Sequence, residues 1–480
     1  MPRALLTCAR QGIVFLLLTG VIQQAHAQVV NWVESYAVGR WSYIEDAVSL
    51  PDGGYFLVGH AWFPGDSGGV QGIVIRTNDS GQMLWWRMYG GMTEDYFLSA
   101  TMVSGEIWVG GTFDSTGNGR YVSTLWRLSV EGDSLWARRY SGLYDIIEKV
   151  KPAPDGGVLV TTSISYILVK IEPEGDVAWT VDGPDYHGRV RAIDVHSDGT
   201  TVVACQNTTN PFSDTLAINV YWIDGDGHVQ DMSQYHPSAW AGAESVIALS
   251  DSDAVVAGWI QTGPNFFDQS PYLFRIGRSG VVVWAVTQGD EWARNAVGIH
   301  RIHDSLTVVT WKPFTEAGWG NPLVSSFDLN GTFSHRVAVD VTPGQNAYVY
   351  VSATAQVAMN RLLVMGSRDL VADTLGTQSF CAQVSFGPAA VEPRNDQEPG
   401  RESTLSIEYV SGTGRILLPE NPLGAVQVRV FDILGRLVHQ STQTQTTRQF
   451  SVPLDCASGT FFISVTDARK EWHGTVHILR

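Results

Sequence analysis

The chain has 480 residues, 49 of them Gly and 17 Trp, with 31 Lys and Arg against 48 Asp and Glu, for a formal charge of −17. That surplus of acid argues against nucleic acid and anionic membrane as partners. The Gly- and aromatic-rich, Lys-poor mix excludes a coiled coil or a low-complexity chain and suits an all-β protein with many turns, long enough for one large repeat domain plus a small one.

Residues 1–27 read as a secretory signal peptide. Arg3 and Arg10 form the basic region, residues 13–22 a short apolar run, and Ala25-His26-Ala27 an A-x-A cleavage site, so the mature chain is expected to start at Gln28. The apolar run is too short to span a bilayer, and no later segment is long enough for an integral membrane span. Once Cys8 leaves with the signal, Cys205, Cys381 and Cys456 remain. Three sparse cysteines are no disulfide framework and read as buried free thiols, with one pair as the alternative.

A turn followed by a strand then recurs at roughly 50-residue intervals. Its glycine stands at Gly81, Gly132, Gly175, Gly227, Gly280 and Gly331. Trp follows by four at Trp85, Trp136, Trp179 and Trp284, with Asp231 and His335 in its place in two copies. Tyr follows by eight at Tyr89, Tyr140 and Tyr235. A second marker, a polar turn between two apolar strands, alternates with the first, as at Asp52-Gly53-Gly54 and Asp155-Gly156-Gly157, and occurs seven times. Each repeat therefore reads as four short strands, and seven such units predict a seven-bladed β-propeller over residues 28–387, with six or eight blades as alternatives. The seventh unit stops without a fourth strand, and Trp32 and Tyr36 carry the same spacing with no strands before them. The N-terminal strand is thus expected to complete the last blade and remove an open edge.

Residues 388–402, rich in Pro, Glu, Asn and Asp, read as a linker. Residues 403–480 lack the repeat and predict about seven short strands in a small C-terminal β-sandwich.

Two resemblances follow. In the C-terminal unit the run from Val426 to Val438, with Phe431-Asp432 and Gly435-Arg436, and the later Ser458-Gly459-Thr460-Phe461 resemble the sorting domain of the type IX secretion system of Bacteroidetes-type bacteria. Gly435 and Gly459 sit where turns favour positive φ. The opening aromatic-Pro-Asn-Pro of that family is absent; only Asn421-Pro422 stands nearby. The resemblance implies that Asp432, Gly435, Arg436 and Gly459 belong to an address read by export machinery, with a secreted or outer-surface destination in a Gram-negative bacterium. The repeats resemble bacterial propeller blades of the D-G-G-strand-V-G and G-x3-W-x3-Y-G-G type, and their Gly-x3-Trp element is similar to the tryptophan-docking motif of quinoprotein-type propellers. That likeness implies a scaffold, with Trp packed between blades, and not a function.

No catalytic set stands out. There is no G-x-S-x-G, H-E-x-x-H, Walker loop or C-x-x-C. His300 and His303 form H-x-x-H, but on a strand residues three apart face opposite sides, which disfavours a shared metal. Asp224-Gly225-Asp226-Gly227 resembles a calcium loop without its later ligands and reads better as a turn. No cofactor and no metal is expected. Polar residues at the start of the innermost strands, Glu45, Asp46, Glu94, Asp95, Asp145 and Glu244, are expected to ring one mouth of the central channel and to bind a polar ligand, set against the plainer reading of solvated strand starts. Arg189 and Arg191 beside Glu148 and Glu244 are the nearest approach to an acid–base cluster. The expectation is an exported, non-enzymatic binding propeller with an unidentified glycan or protein ligand. The alternatives are a secreted hydrolase or lyase acting on polysaccharide or peptide at a channel mouth, and a quinoprotein-like oxidoreductase.

Overall fold

The structure, a computed structural model, describes residues 28–386 except for 65–68, 92, 115–120, 141–145, 164–165, 184–189, 208–216, 239, 264–267, 288–294, 312–313, 316–317, 343–346 and 371–375, and beyond them the strands between 406 and 478. Every regular element described is a strand. Gln28–Gly387 forms one compact unit, and the strands after Pro388 belong to another.

Within the first unit the strands fall into seven antiparallel four-stranded sheets and one two-stranded hairpin, Phe314–Thr315 with Gly318–Trp319. In blade 1 these are Trp41–Ser49, Tyr55–Phe63, Gly69–Thr77 and Met83–Tyr89, paired in chain order. Blades 2 to 6 repeat this order, beginning at Asp95, Ile147, Ala192, Ala241 and Ala296. The strands run several residues longer than the sequence pattern indicates, because the apolar alternation fades at their ends while the backbone pairing continues. Middle strands are apolar on both faces: Val158–Thr162 and Ala217–Ile223 are buried throughout. Each blade lies between two others, so neither face of its middle strands meets water. Outermost strands alternate instead, as Val282–Thr287 does.

Blade 7 takes Ala347–Ala358, Arg361–Leu370 and Gln378–Phe386 from the end of the unit and Gln28–Tyr36 from its beginning. The N-terminal strand runs antiparallel to Gln378–Phe386 from Gln28 opposite Phe386 to Tyr36 opposite Ser379. This is the closure expected from Trp32 and Tyr36.

The recurring motif is a clasp between consecutive blades. In all six turns the glycine has φ between +80° and +92°. Its N–H donates to the carbonyl three residues earlier, as from Gly81 to Asn78 and Gly132 to Ser129. Only glycine adopts that conformation at low cost. It also leaves room for a neighbour: a Cβ on Gly132 would lie 2.6 Å from the Trp85 ring of blade 1, and one on Gly81 would lie 2.5 Å from Trp32 of blade 7. The tyrosine completes the contact. Tyr36, Tyr89 and Tyr140 donate their hydroxyls to the carbonyls of Gly81, Gly132 and Gly175, at 2.7, 2.5 and 2.9 Å. The two copies without Trp have separate reasons. Asp231 of blade 4 instead meets Arg278 of blade 5 at 2.5 Å. His335 belongs to blade 6, and blade 7 has no hairpin between its third and fourth strands, so there is no turn glycine to receive a Trp.

The C-terminal unit contains a three-stranded sheet of Ser406–Val410, Thr413–Leu417 and Gln449–Pro453, and a four-stranded sheet of Leu437–Gln445, Gly424–Asp432, Gly459–Thr466 and Glu471–Ile478. In Gly424–Asp432, Val426, Val428 and Val430 are buried while Arg429 is exposed, the period-two pattern of a half-buried strand. Asp432 ends that strand and Gly459 begins another. Ala25, Ala27, Gly435, Arg436 and Cys456 lie outside the described residues.

Candidate functional site

The innermost strands build the channel, and a backbone irregularity sets what faces it. Six of them bulge against their partners at the same place, leaving Glu45, Leu98, Glu148, Glu244, Val297 and Ser352 as the extra residue. In four blades a glycine lies opposite: a Cβ on Gly59, Gly111, Gly258 or Gly366 would stand within 1.9 Å of a carbonyl oxygen of the first strand. That close approach explains the V-G that ends the second-strand motif. Blade 4 has no bulge in its short first strand, and Arg191, just before Ala192, occupies the corresponding place.

The resulting cavity has a volume of about 490 Å³ and is lined by Glu45, Glu148, Arg191 and Glu244 among others. Arg191 sits between two carboxylates, 3.4 Å from Glu148 and 3.6 Å from Glu244. Burial works against its charge, but Glu244 and Glu148 outweigh that and hold the guanidinium's pKa above its ordinary value. Glu148 is itself buried and accepts a further hydrogen bond from Ser163. Removing the arginine would leave that carboxylate without its cation. Arg191→Met is therefore expected to cost about 2 kcal/mol, less than the roughly 3–5 kcal/mol of a fully buried pair because Arg191 is partly wet. Adding Glu148→Gln should recover most of it, as read from urea midpoints.

Most other polar groups in the channel join neighbouring blades. Asp46 accepts from Ser99 Oγ at 2.7 Å and from the Ala47 and Ala100 amides. Ser99 Oγ in turn accepts from the Val150 amide, Asp194 from Ala248, and Ser245 Oγ from Ile299. His300 Nε2 and Thr354 Oγ1 lie 2.7 Å apart, and Ser352 donates to the Ile44 carbonyl. Together with Arg191–Glu148, these place one polar bridge at every blade seam.

The sequence-derived ring is thus brought together only in part. Glu45 and Glu244 line the channel. Asp46 lines it too, but its carboxylate is engaged in holding blade 2. Glu94 and Asp95 are not among the lining residues. Glu94 accepts from Tyr121 Oη at 2.5 Å, and Asp95 is buried and accepts from the Gly91 amide at 2.7 Å. The place they were expected to fill is held by Leu98, four residues on from Glu94. Burial pushes the Asp95 carboxyl up to about 6. Asp145 and Arg189 lie outside the described residues.

Sequence reasoning also missed an aromatic flank of this mouth. His60 stacks on Tyr43 at 5.2 Å, faces Tyr96 edge-on at 4.9 Å, and has Glu45 4.0 Å from its Nδ1. The available signal is the pairing of Tyr43 opposite His60 in adjacent strands, which requires the register. Burial lowers the pKa of His60 to about 4 and that of His300 to about 3. A histidine held neutral in the fold but free to charge when unfolded favours the unfolded state as protons are added. The two contribute stability that is complete above about pH 6.5 and falls as pH drops from there toward 4 and 3. Replacing His300 by Gln should flatten the acid limb of a melting-temperature profile between pH 6.5 and 4.

Asp224, Asp226 and His228 form the one grouping among the described residues close enough to share a metal ion. Asp224 Oδ1 accepts from the amides of Asp226 and His228, and Oδ2 from Gln230. It is one of the six clasp turns, and the same amide contacts recur at Asn78 and Asp328. His300 lies in a strand while His303 is in the turn after it, with φ +54°. Cys205 and Cys381 are buried free thiols, and burial pushes the Cys205 thiol up to about 12.

No protein-family profile matches the chain, and no curated protein does. Solved structures match remotely. A protein of unknown function from Dyadobacter fermentans is 9% identical with a TM-score of 0.46, over 75% of this chain and 99% of that one. A streptogramin B lyase is 13% identical with a TM-score of 0.44, over 74% of this chain and 97% of that one. PorZ, a surface component of the type IX secretion system of Porphyromonas gingivalis, is 13% identical with a TM-score of 0.43, over 90% of this chain but 59% of its own. The fold assignment rests on strand pairing, and what those proteins do stays with them. Among the described residues no helix is long and apolar enough to cross a membrane.

Proposed function

We propose that this chain is an exported, non-enzymatic binding protein whose propeller takes a polar ligand, a glycan or a protein segment, at the mouth of its central channel. The observation that carries the reading is the convergence of Glu45, Glu148, Arg191 and Glu244 from four blades on one cavity. Both signs of charge are present there, which suits hydroxyl or amide groups better than a simple ion. Binding is favoured over catalysis because the Glu148 and Asp46 carboxylates are already engaged in bridges between blades and within them. Export is supported by the signal-like residues 1–27 and by the strand motif through Asp432, Gly435, Arg436 and Gly459, which resembles a type IX sorting domain. Delivery would be to the surface or medium of a Bacteroidetes-type cell.

Two measurements test this. Glycan and peptide arrays probed with the protein should give a ligand whose capture falls at least tenfold in Glu244→Gln; retention of all capture by that variant would remove the channel mouth from the account. A chain lacking residues 403–480 should remain in the periplasm on cell fractionation. Its normal appearance at the surface or in the medium would refute the sorting assignment.

A further inference from the structure

Beside the channel mouth, at the seam between blades 7 and 1, lies a smaller chamber of about 220 Å³. Tyr43, Trp311, Tyr348 and Tyr350 line it, and Asp369 is the sole charged side chain among its described lining residues. The rings form walls. Tyr43 and Tyr350 stand 6.4 Å apart at 78°, and Trp311 and Tyr350 stand 6.0 Å apart at 73°. Trp311 is buried, whereas Tyr348 and Tyr350 are 41% and 43% exposed. Asp369 lies directly across the strand pair from Tyr348 and is exposed. It is close enough to Tyr43 to help raise the phenol's pKa, burial being the larger cause.

We propose that this chamber is an aromatic box for a small quaternary ammonium ion of the choline type. The negative faces of aromatic rings attract a cation, most strongly when several rings share it and water is partly excluded. A carboxylate at the rim adds Coulomb attraction and repels anions. A flat sugar ring needs one open aromatic platform flanked by several polar groups, whereas here the rings meet at steep angles around a space the size of a headgroup. Glu45 in the adjoining channel and the chain's net charge of −17 add to the preference for a cation. The inference rests on the reading of this mouth as a binding surface and names the chemistry of one of its subsites.

Isothermal titration of the full chain with choline chloride and tetramethylammonium chloride tests it, with 3,3-dimethylbutanol as the neutral isostere. Saturable binding of both cations is expected, with the isostere about tenfold weaker or worse. Tyr350→Ala and Asp369→Asn should each weaken choline by about tenfold, and Tyr350→Phe should retain it because the π face remains. Asp369→Asn, at an exposed position, keeps the test open if Tyr350→Ala does not fold. Failure of either cation to bind, equal binding of the isostere, or full binding by Asp369→Asn would overturn the proposal. Glu244→Gln lies in the channel and outside the chamber and should leave choline binding unchanged. Loss of an array ligand in Glu244→Gln with no choline binding would defeat the ammonium assignment and leave the channel reading intact; the opposite pattern would do the reverse.

Discussion

A chain lacking residues 28–37 should fail to form a stable propeller. The strand Gln28–Tyr36 supplies the fourth strand of blade 7 and pairs with the previous strand from Ser379 to Phe386. Tyr36 is 2% exposed, and Trp32, Val30 and Val33 pack against buried clusters on either side of the seam. At about 1.5–3 kcal/mol for a fully buried large apolar side chain, and less for the partly buried ones, these four residues contribute about 4–8 kcal/mol. That is of the same order as the whole stability of a typical domain. The deletion also removes the clasp on Gly81 and the hydrogen bond from Trp32 Nε1 to the Asp79 carbonyl, and it uncovers an edge strand. The expected result is aggregation, or a melting temperature lower by more than 10 °C at a few degrees per kcal/mol. Adding a peptide of residues 28–38 in trans should restore part of it. Unchanged thermal unfolding of the truncated chain would show that the ring does not depend on this closure.

The closure was legible in the sequence because the clasp is local. A turn glycine, a Trp four residues on and a Tyr eight on are fixed by one hairpin, so their spacing survives the changes around them and marks each blade's phase. A detached Trp32–Tyr36 pair can then belong only to an unfinished blade. The channel was less legible because the bulge in six of the seven innermost strands turns side chains over by one position. Glu94 and Asp95 resemble Glu45 and Asp46 in type, but Glu94 precedes the strand and Asp95 opens it, ahead of the bulge, and Leu98 takes the channel position. Glu148 drew notice only as a neighbour of Arg191, and nothing local marks it as the buried partner. The aromatic chamber was hidden altogether. Tyr43 is far from Trp311 and Tyr350 in the chain, and only ring closure brings blade 1 beside blade 7. The repeat therefore reports its scaffold well and its site poorly, since the site is made where the copies differ.

Substitution of the turn glycines separates the two demands made on them. Gly132→Ala is expected to cost about 3 kcal/mol, of which about 1–2 is the strain of an L-residue at positive φ and the rest the overlap of Cβ with a packed ring. The backbone there is at φ +83°, and the new Cβ would lie 2.6 Å from Trp85. Gly199 provides the control. Its φ is +90°, yet a Cβ there would meet nothing within 4 Å, so Gly199→Ala should cost only the backbone strain. Gly280 is intermediate: its blade-4 neighbour lacks the Trp, and the nearest atom to a Cβ is Ser233 Oγ at 3.0 Å. The order of destabilisation in urea should be Gly132, then Gly280, then Gly199. Combining Gly132→Ala with Trp85→Ala should cost less than the sum of the two, because the alanine methyl then occupies part of the space the indole leaves. Equal losses at Gly132 and Gly199 would mean that the glycine is needed for its φ alone and that Trp85 does not seat on it. In that case the Gly-x3-Trp spacing would mark the turn without joining the blades.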